Sequence, residues 1–262
     1  MLPLLDLAWN WTLDALFPPR CSACSSFTRA RFCPRHAPTA LPISPPFCRV
    51  CAAPFDPLAK RDAQCAVCRK AKDSFQVARA AWVYDGAPRD AIHRFKYGGK
   101  SALAARLAPA LLDLLHLDEA LSQIDFDIVV PVPLHPRRER KRGFNQSELL
   151  ARALAKELAL PAANLLQRTR ATPPQVGLDA KARTHNVRGA FALDPRSGDI
   201  TGQRILLVDD VYTTGSTLRE CAGVLNRAGA QTVCAVTLAR QVSPDVRPLF
   251  QPPPVFEGLV FD

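Results

Sequence analysis

The segment Arg204-Ile-Leu-Leu-Val-Asp-Asp-Val-Tyr-Thr-Thr-Gly-Ser-Thr217 gathers the groups in this chain best suited to holding a phosphorylated ligand. An apolar run leads into two adjacent carboxylates, Asp209 and Asp210, and then into a turn of small hydroxyl residues around Gly215. A helix that begins after such a turn presents backbone N–H groups and the positive end of its dipole, which together bind phosphate. Gly215 allows close backbone approach, and the hydroxyls of Thr213, Thr214, Ser216 and Thr217 add donors. Carboxylates at the carboxyl end of a buried strand, just before that turn, are placed to accept hydrogen bonds from ribose hydroxyls. Helix capping by Ser216 or Thr217 alone would explain one hydroxyl, but not two acids, four hydroxyls and a glycine in one turn. The lysine of the G-x-x-x-x-G-K-[ST] loop is missing, which excludes that class of nucleotide site.

A second constellation is metal-binding in type. Seven of the nine cysteines lie between Cys21 and Cys68, in the pairs Cys21/Cys24, Cys33/His36, Cys48/Cys51 and Cys65/Cys68, each separated by two residues. That spacing turns two ligands toward one tetrahedral ion, so eight ligands make two closed, structural zinc sites. An iron–sulfur cluster is the alternative that sets of four cysteines allow and the Cys-x2-His pair disfavours. Disulfides are a third reading, out of place in a chain expected in the cytoplasm. Sequential pairing is expected, with Cys21, Cys24, Cys33 and His36 in one site and Cys48, Cys51, Cys65 and Cys68 in the other; the spacing leaves a cross-braced arrangement open. Cys221 and Cys234 fall in a predicted helix and a predicted strand and are expected as small buried residues.

The third feature is a run of cations. Arg137, Arg138, Arg140, Lys141 and Arg142 put five positive charges within six residues, directly after a strand expected to end near the phosphates. A solvated surface loop, a pyrophosphate contact and a nucleic-acid backbone contact all fit such a run. The formal net charge of +10 is uneven: residues 1–72 carry 10 basic and 4 acidic side chains, and residues 131–190 carry 12 and 4. A polyanion would therefore meet two basic regions. His135 and His185 read as phosphate-contacting or structural, since no carboxylate or cysteine stands at ligand spacing beside either.

The elements that must position these groups follow from periodicity. With 48% hydrophobic and 22% charged residues, the chain can bury a core, which excludes whole-chain disorder. The most apolar window, Ala102 to Leu115, is broken by Arg106, Pro109 and Asp113, too short for a membrane span. The N-terminus carries Asp6 and Asp14 and lacks the basic start of a signal peptide, so a cytoplasmic location is expected. Leu2, Leu5, Trp9, Leu13 and Leu16 predict an amphipathic helix ended by Pro18 and Pro19. From Arg20 to Lys72 prolines recur and no period is sustained, so metal must substitute for a core. Strands are then predicted over 77–84, 126–132, 204–208 and 232–238, and helices over 87–95, 101–117 with Pro109 as a break, 145–160 and 217–228. Strands alternating with helices indicate a parallel α/β sheet. The expected domains are a helix over 1–19, a double zinc ribbon over 20–72, an α/β domain over 73–242 and a proline-rich tail over 243–262.

Val-Asp-Asp-Val-Tyr-Thr-Thr-Gly-Ser-Thr217 resembles the phosphoribosyl-pyrophosphate (PRPP) signature of type I phosphoribosyltransferases. Val130-Pro-Val-Pro-Leu-His-Pro-Arg-Arg-Glu-Arg-Lys-Arg-Gly-Phe-Asn-Gln146, Thr172-Pro-Pro-Gln-Val-Gly-Leu178 and Arg183 to Phe191 narrow the resemblance to the ComF competence-protein family. The cysteine knuckles and the turn Phe95-Lys-Tyr-Gly-Gly99 fit the same family, and the likeness covers roughly residues 15–240. It implies a type I phosphoribosyltransferase-like domain behind a double zinc ribbon, with two structural Zn²⁺ ions. It further implies a PRPP site in which Asp209 and Asp210, the candidate catalytic residues, hold the ribose hydroxyls directly or through Mg²⁺. Thr213, Thr214, Gly215, Ser216 and Thr217 would hold the 5′-phosphate, while Lys96, Arg137, Arg138, Lys141 and Arg142 would meet pyrophosphate or nucleic acid. The segment 168–188 would be the mobile loop that closes over the site in this superfamily. In the purine-salvage branch an aspartate that contacts the base stands where this chain has Thr213, which argues against a hypoxanthine–guanine type enzyme.

Two functions follow from the resemblance. In one, the chain binds PRPP and single-stranded DNA and acts in DNA uptake, natural transformation or use of external DNA, in company with other DNA-uptake proteins. In the other, it is a metabolic phosphoribosyltransferase whose zinc module is purely structural. Aromatics are sparse in the ribbon region (Phe27, Phe32, Phe47 and Phe55), so sequence-selective readout of DNA is not expected.

Overall fold

A computed structural model describes residues 18–56, 63–71, 75–170 and 186–243. The helix expected over 2–17, residues 171–185 of the closing segment with Arg183 and His185, and the expected tail from 244 onward lie outside the described residues.

A four-stranded parallel sheet carries the architecture. Its strands are β1 (Val77–Val83), β2 (Ile128–Pro131), β5 (Arg204–Tyr212) and β6 (Thr232–Arg240), in the spatial order β1-β6-β5-β2. Two short strands, β3 (Leu166–Arg168) and β4 (Phe191–Leu193), pair antiparallel beside it. The helices are α1 (Ala66–Lys70), α2 (Gly86–Tyr97), α3 (Leu103–Leu107), α4 (Pro109–Leu117), α5 (Pro136–Arg142), α6 (Gln146–Leu158) and α7 (Ser216–Arg227). The single helix expected over 101–117 is divided at Pro109, which opens α4 where its missing N–H costs nothing. The central strands are apolar throughout because both faces are covered, as parallel crossovers require. Leu206, Val208 and Val236 face a core with α2, α3, α4 and α6, while Ile205, Leu207 and Ala235 face one with α7, β3 and β4.

The cysteine-rich segment sits astride the exposed edge of this sheet. Ile43 N–H donates to the Ala81 carbonyl (3.3 Å) and Val83 N–H to the Leu41 carbonyl (2.8 Å), while Ala78 N–H donates to the Val50 carbonyl (2.7 Å). β1 thus has its edge hydrogen-bonding groups covered, which removes a template for aggregation. Cys21 and Cys33 join the core on one face of the sheet, and Cys48, Cys51 and Cys68 join the core on the other. Arginines of the α/β region fasten the segment in place. Arg94 donates to the Cys21 and Ser22 carbonyls at 3.2 and 2.7 Å, and Arg106 donates to the Ala30 carbonyl. Among the described residues no helix is long and apolar enough to cross a membrane.

Candidate phosphoribosyl site and double zinc ribbon

The eight metal-ligand candidates fall into two tetrads, Cys21/Cys24/Cys33/His36 and Cys48/Cys51/Cys65/Cys68, whose ligand atoms lie within 4.8 Å of one another. The pairing is sequential, and the cross-braced arrangement is excluded. A tetrahedral ion about 2.3 Å from each sulfur needs sulfurs roughly 3.8 Å apart. The Cys24–Cys33 and Cys51–Cys65 separations are 3.9 and 3.8 Å, and His36 Nδ1 faces Cys33 Sγ at 3.2 Å. Backbone amides point at the sulfurs, Cys33 N–H at Cys21 (3.4 Å) and Cys65 N–H at Cys48 (3.3 Å), which favours thiolates. None of the nine cysteines is in a disulfide, and Cys221 and Cys234 are buried as expected.

At the carboxyl ends of β2, β5 and β6 a cleft of about 780 Å³ opens, the place where open parallel sheets take ligands. Its floor is the end of β5, which runs on through both acids to Tyr212 rather than stopping at Val208. Asp210 is buried, and the Lys96 ammonium at the end of α2 meets its Oδ1 at 2.7 Å. Among the described residues Asp210 Oδ2 is buried with no hydrogen-bond partner, which suits a hydroxyl donor or a cation such as Mg²⁺. Asp209 is half-buried and accepts from the Ser147 hydroxyl (2.8 Å) and the Asp210 N–H (2.9 Å). Burial, and then the adjacent Asp210 charge, push the Asp209 carboxyl up to about 7 against the opposing pull of Ser147 and Lys96. Burial opposes charge on Lys96, but Asp210 and Asp209 outweigh it and hold the ammonium's pKa above its ordinary value.

The hydroxyl turn leads from β5 into α7. Gly215 has φ +77°, and a Cβ there would collide with the Tyr212 hydroxyl, so both conformation and space demand glycine. Thr213, Gly215 and Thr217 line the cleft. Thr214 and Ser216 instead face each other, Oγ to Oγ at 2.8 Å, and Thr214 Oγ1 accepts from Ser216 N–H at 3.3 Å. The turn is thus shaped by its own hydroxyls.

The basic run, expected as a loop, is helical. His135 caps α5 by accepting from Arg137 N–H (3.2 Å), Pro136 opens the helix, and Gly143 in the left-handed region ends it. Helical periodicity divides the cations. Arg138, Lys141 and Arg142 line the cleft, whereas Arg137 and Arg140 are exposed and do not line it. His135 is therefore structural; burial, then Arg137 and its neighbours, hold its pKa below the usual histidine value.

Four side chains not among the expected site residues contribute, and Arg168, expected at the start of the closing segment, instead ends a strand. Arg168, at the end of β3, is buried against Phe191 and lines the cleft; burial and then Arg138 lower its pKa. Ser147 stands at the start of α6, where Asn145 Oδ1 caps the helix through Ser147 N–H. Tyr97 is 63% exposed at the cleft mouth under the Arg142 guanidinium, 5.3 Å from its ring centre, and Tyr212 is buried beneath the turn. Altogether five cations (Lys96, Arg138, Lys141, Arg142 and Arg168) and two carboxylates face one cavity, a composition for a polyphosphate rather than a neutral ligand.

The fold and these sites define a two-part class: residues 145–256 match the phosphoribosyl transferase domain, and residues 12–69 match the double zinc ribbon domain. Competence protein F of Haemophilus influenzae is 32% identical over 197 residues, 74% of this chain and 85% of that protein. The chain belongs to the ComF competence-protein family. It is also 39% identical over 151 residues to the DNA utilization protein YhgH of Escherichia coli O157:H7, covering 57% of this chain. The match spans 65% of that relative's length. Competence protein ComFC of Bacillus subtilis is 29% identical over 166 residues, 62% of this chain and 63% of the relative.

Proposed function

We propose that this protein binds PRPP with Mg²⁺ in the cleft and single-stranded DNA on its basic surface, and that it serves in the use or uptake of DNA. The observation that carries the ligand is the junction of the Asp209–Asp210 pair with the Gly215 turn under a roof of cations. In this reading the turn from Thr213 to Thr217 holds the 5′-phosphate through α7 backbone amides. Asp209 and Asp210 accept from the two ribose hydroxyls, Ser147 and Lys96 having set their orientation in advance. Arg138, Lys141 and Arg142 meet the pyrophosphate with charge-assisted hydrogen bonds. Mg²⁺ supplies charge neutralisation to the pyrophosphate, and Asp210, with its uncommitted Oδ2, is the residue placed to share it. The DNA role rests on the names of the relatives and on the outward cations Arg137 and Arg140, which leave the cleft to the smaller anion.

The deciding experiment is titration calorimetry with PRPP and MgCl₂, paired with fluorescence anisotropy of a labelled oligonucleotide at low and moderate salt. PRPP binding that survives Asp209→Asn with Asp210→Asn would refute the site. Oligonucleotide binding should fall steeply with salt, and no binding at low salt removes the DNA role.

A further inference from the structure

We propose that Tyr212, Arg219 and Arg240 are positioning residues that tie the phosphate-binding turn to the second zinc tetrad. The inference rests on the phosphoribosyl reading above. Cys51 supplies one thiolate of that tetrad, and its backbone carbonyl accepts from Arg240 Nη1 at 2.7 Å. Arg240 is 8% exposed and sits over the Tyr212 ring, its Cζ 4.1 Å from the ring centre, as cross-strand partner of Tyr212 between β6 and β5. The Tyr212 hydroxyl accepts from Arg219 Nη2 at 3.1 Å, and Arg219 Nη1 donates to the Thr214 carbonyl at 2.8 Å. The same hydroxyl fills the space where any side chain on residue 215 would stand. Phe75, edge-on to Tyr212 and beneath Arg219, closes the stack.

Each link is stiff for a physical reason. A zinc ligand cannot move without distorting the tetrahedron, so the Cys51 carbonyl is fixed when metal is bound. A buried guanidinium has no water to replace a lost acceptor, so Arg240 holds that carbonyl and the ring together. Tyr212, 2% exposed, has no room to change rotamer. The path therefore ends on a main-chain carbonyl of the turn itself, and the turn's amide geometry is what phosphate binding requires. The first tetrad is held from the opposite face, by Arg94 on the Cys21 and Ser22 carbonyls.

Coupling of this kind is reciprocal: if the tetrad orders the turn, a ligand on the turn must stabilise the tetrad. The test uses the full chain with both zinc ions. Binding of PRPP with Mg²⁺ is measured by calorimetry, and zinc release to a chromogenic chelator is followed with and without it. Alkylation of the freed thiols and peptide mapping assign each kinetic phase to its tetrad. PRPP is expected to slow release from Cys48/Cys51/Cys65/Cys68 about five-fold or more. Arg240→Met should abolish that protection while leaving release from the first tetrad unchanged. Tyr212→Phe keeps the ring and removes only the hydroxyl; it should keep two zinc ions and yet bind PRPP about five-fold more weakly. Second-tetrad release unaffected by bound PRPP, protection that persists in Arg240→Met, or unchanged PRPP affinity in Tyr212→Phe overturns the positioning role. Absence of PRPP binding to the wild-type chain removes the phosphoribosyl reading, and the link falls with it.

Discussion

The two walls of the cleft are built on opposite plans. On the acidic wall every group is held before a ligand arrives: Lys96 on Asp210, Ser147 on Asp209, and Tyr212 with Arg219 under the turn. On the basic wall like charges are gathered: burial and then Arg142 lower the Arg138 pKa, and burial and then Arg138 lower that of Arg168. One wall is preorganised geometry and the other is stored repulsion that an anion relieves. Recognition of a sugar phosphate needs the first, because hydroxyl positions must be read. Capture of a pyrophosphate needs only the second.

The largest effect should come from the acidic wall. Asp209→Asn with Asp210→Asn is expected to weaken PRPP binding about 100-fold or more by calorimetry, since each carboxylate contributes a charge-assisted bond. Gly215→Ala attacks the geometry alone: positive φ and the Tyr212 hydroxyl both oppose it. Strain of about 1–3 kcal/mol should weaken PRPP roughly ten-fold or more without lowering zinc content. The basic wall should respond more gently and more electrostatically. Arg138→Ala with Arg142→Ala should reduce PRPP affinity about ten-fold, with a shallower dependence on salt. Arg137→Ala with Arg140→Ala should change PRPP affinity by less than about two-fold while weakening oligonucleotide binding, since those exposed side chains do not line the cleft. If both pairs behave alike, the two faces of α5 are not distinct sites.

Protonation of Asp209 adds a dependence on pH. The native Asp209 carboxyl is raised from 3.8 to about 7, so between those values the native state holds a proton that the unfolded chain has released. Stability from this group is therefore present at low pH and declines as pH rises toward about 7. Thermal unfolding at about pH 5 and about pH 8 should show that decline in the wild type and a flatter response in Asp209→Asn. PRPP affinity should move the opposite way, rising across the same interval as the carboxylate becomes available.

Much of this molecule was legible along the chain because its signals are local. The apolar runs 126–132 and 204–208 marked buried strands, the x2 knuckles marked the tetrads, and the acid–hydroxyl–glycine segment marked the turn. The helical state of the basic run was also written locally, in Pro136 at its first position and Gly143 just beyond its end, but no apolar stripe drew attention to it. β3 and β4, three residues each, are too short for any period to register. Arg168, Ser147 and Tyr97 join the site from separate elements, and no spacing in sequence relates them to Asp209.

The amino-acid sequence by itself determined the chemistry available: two closed metal tetrads, a parallel sheet, an acid pair before a phosphate turn, and a surplus of positive charge in two regions. These depend on neighbours a few residues apart, and short-range geometry is fixed by residue type. Only the tertiary structure decided how the tetrads pair and that one joins each face of the sheet. It also decided which cations enter the cleft, and that Lys96 and Ser147 orient the acids. The orientation of the acids and the seating of the ribbon depend on contacts between residues 62 to 189 positions apart, which burial and packing select and no local pattern encodes.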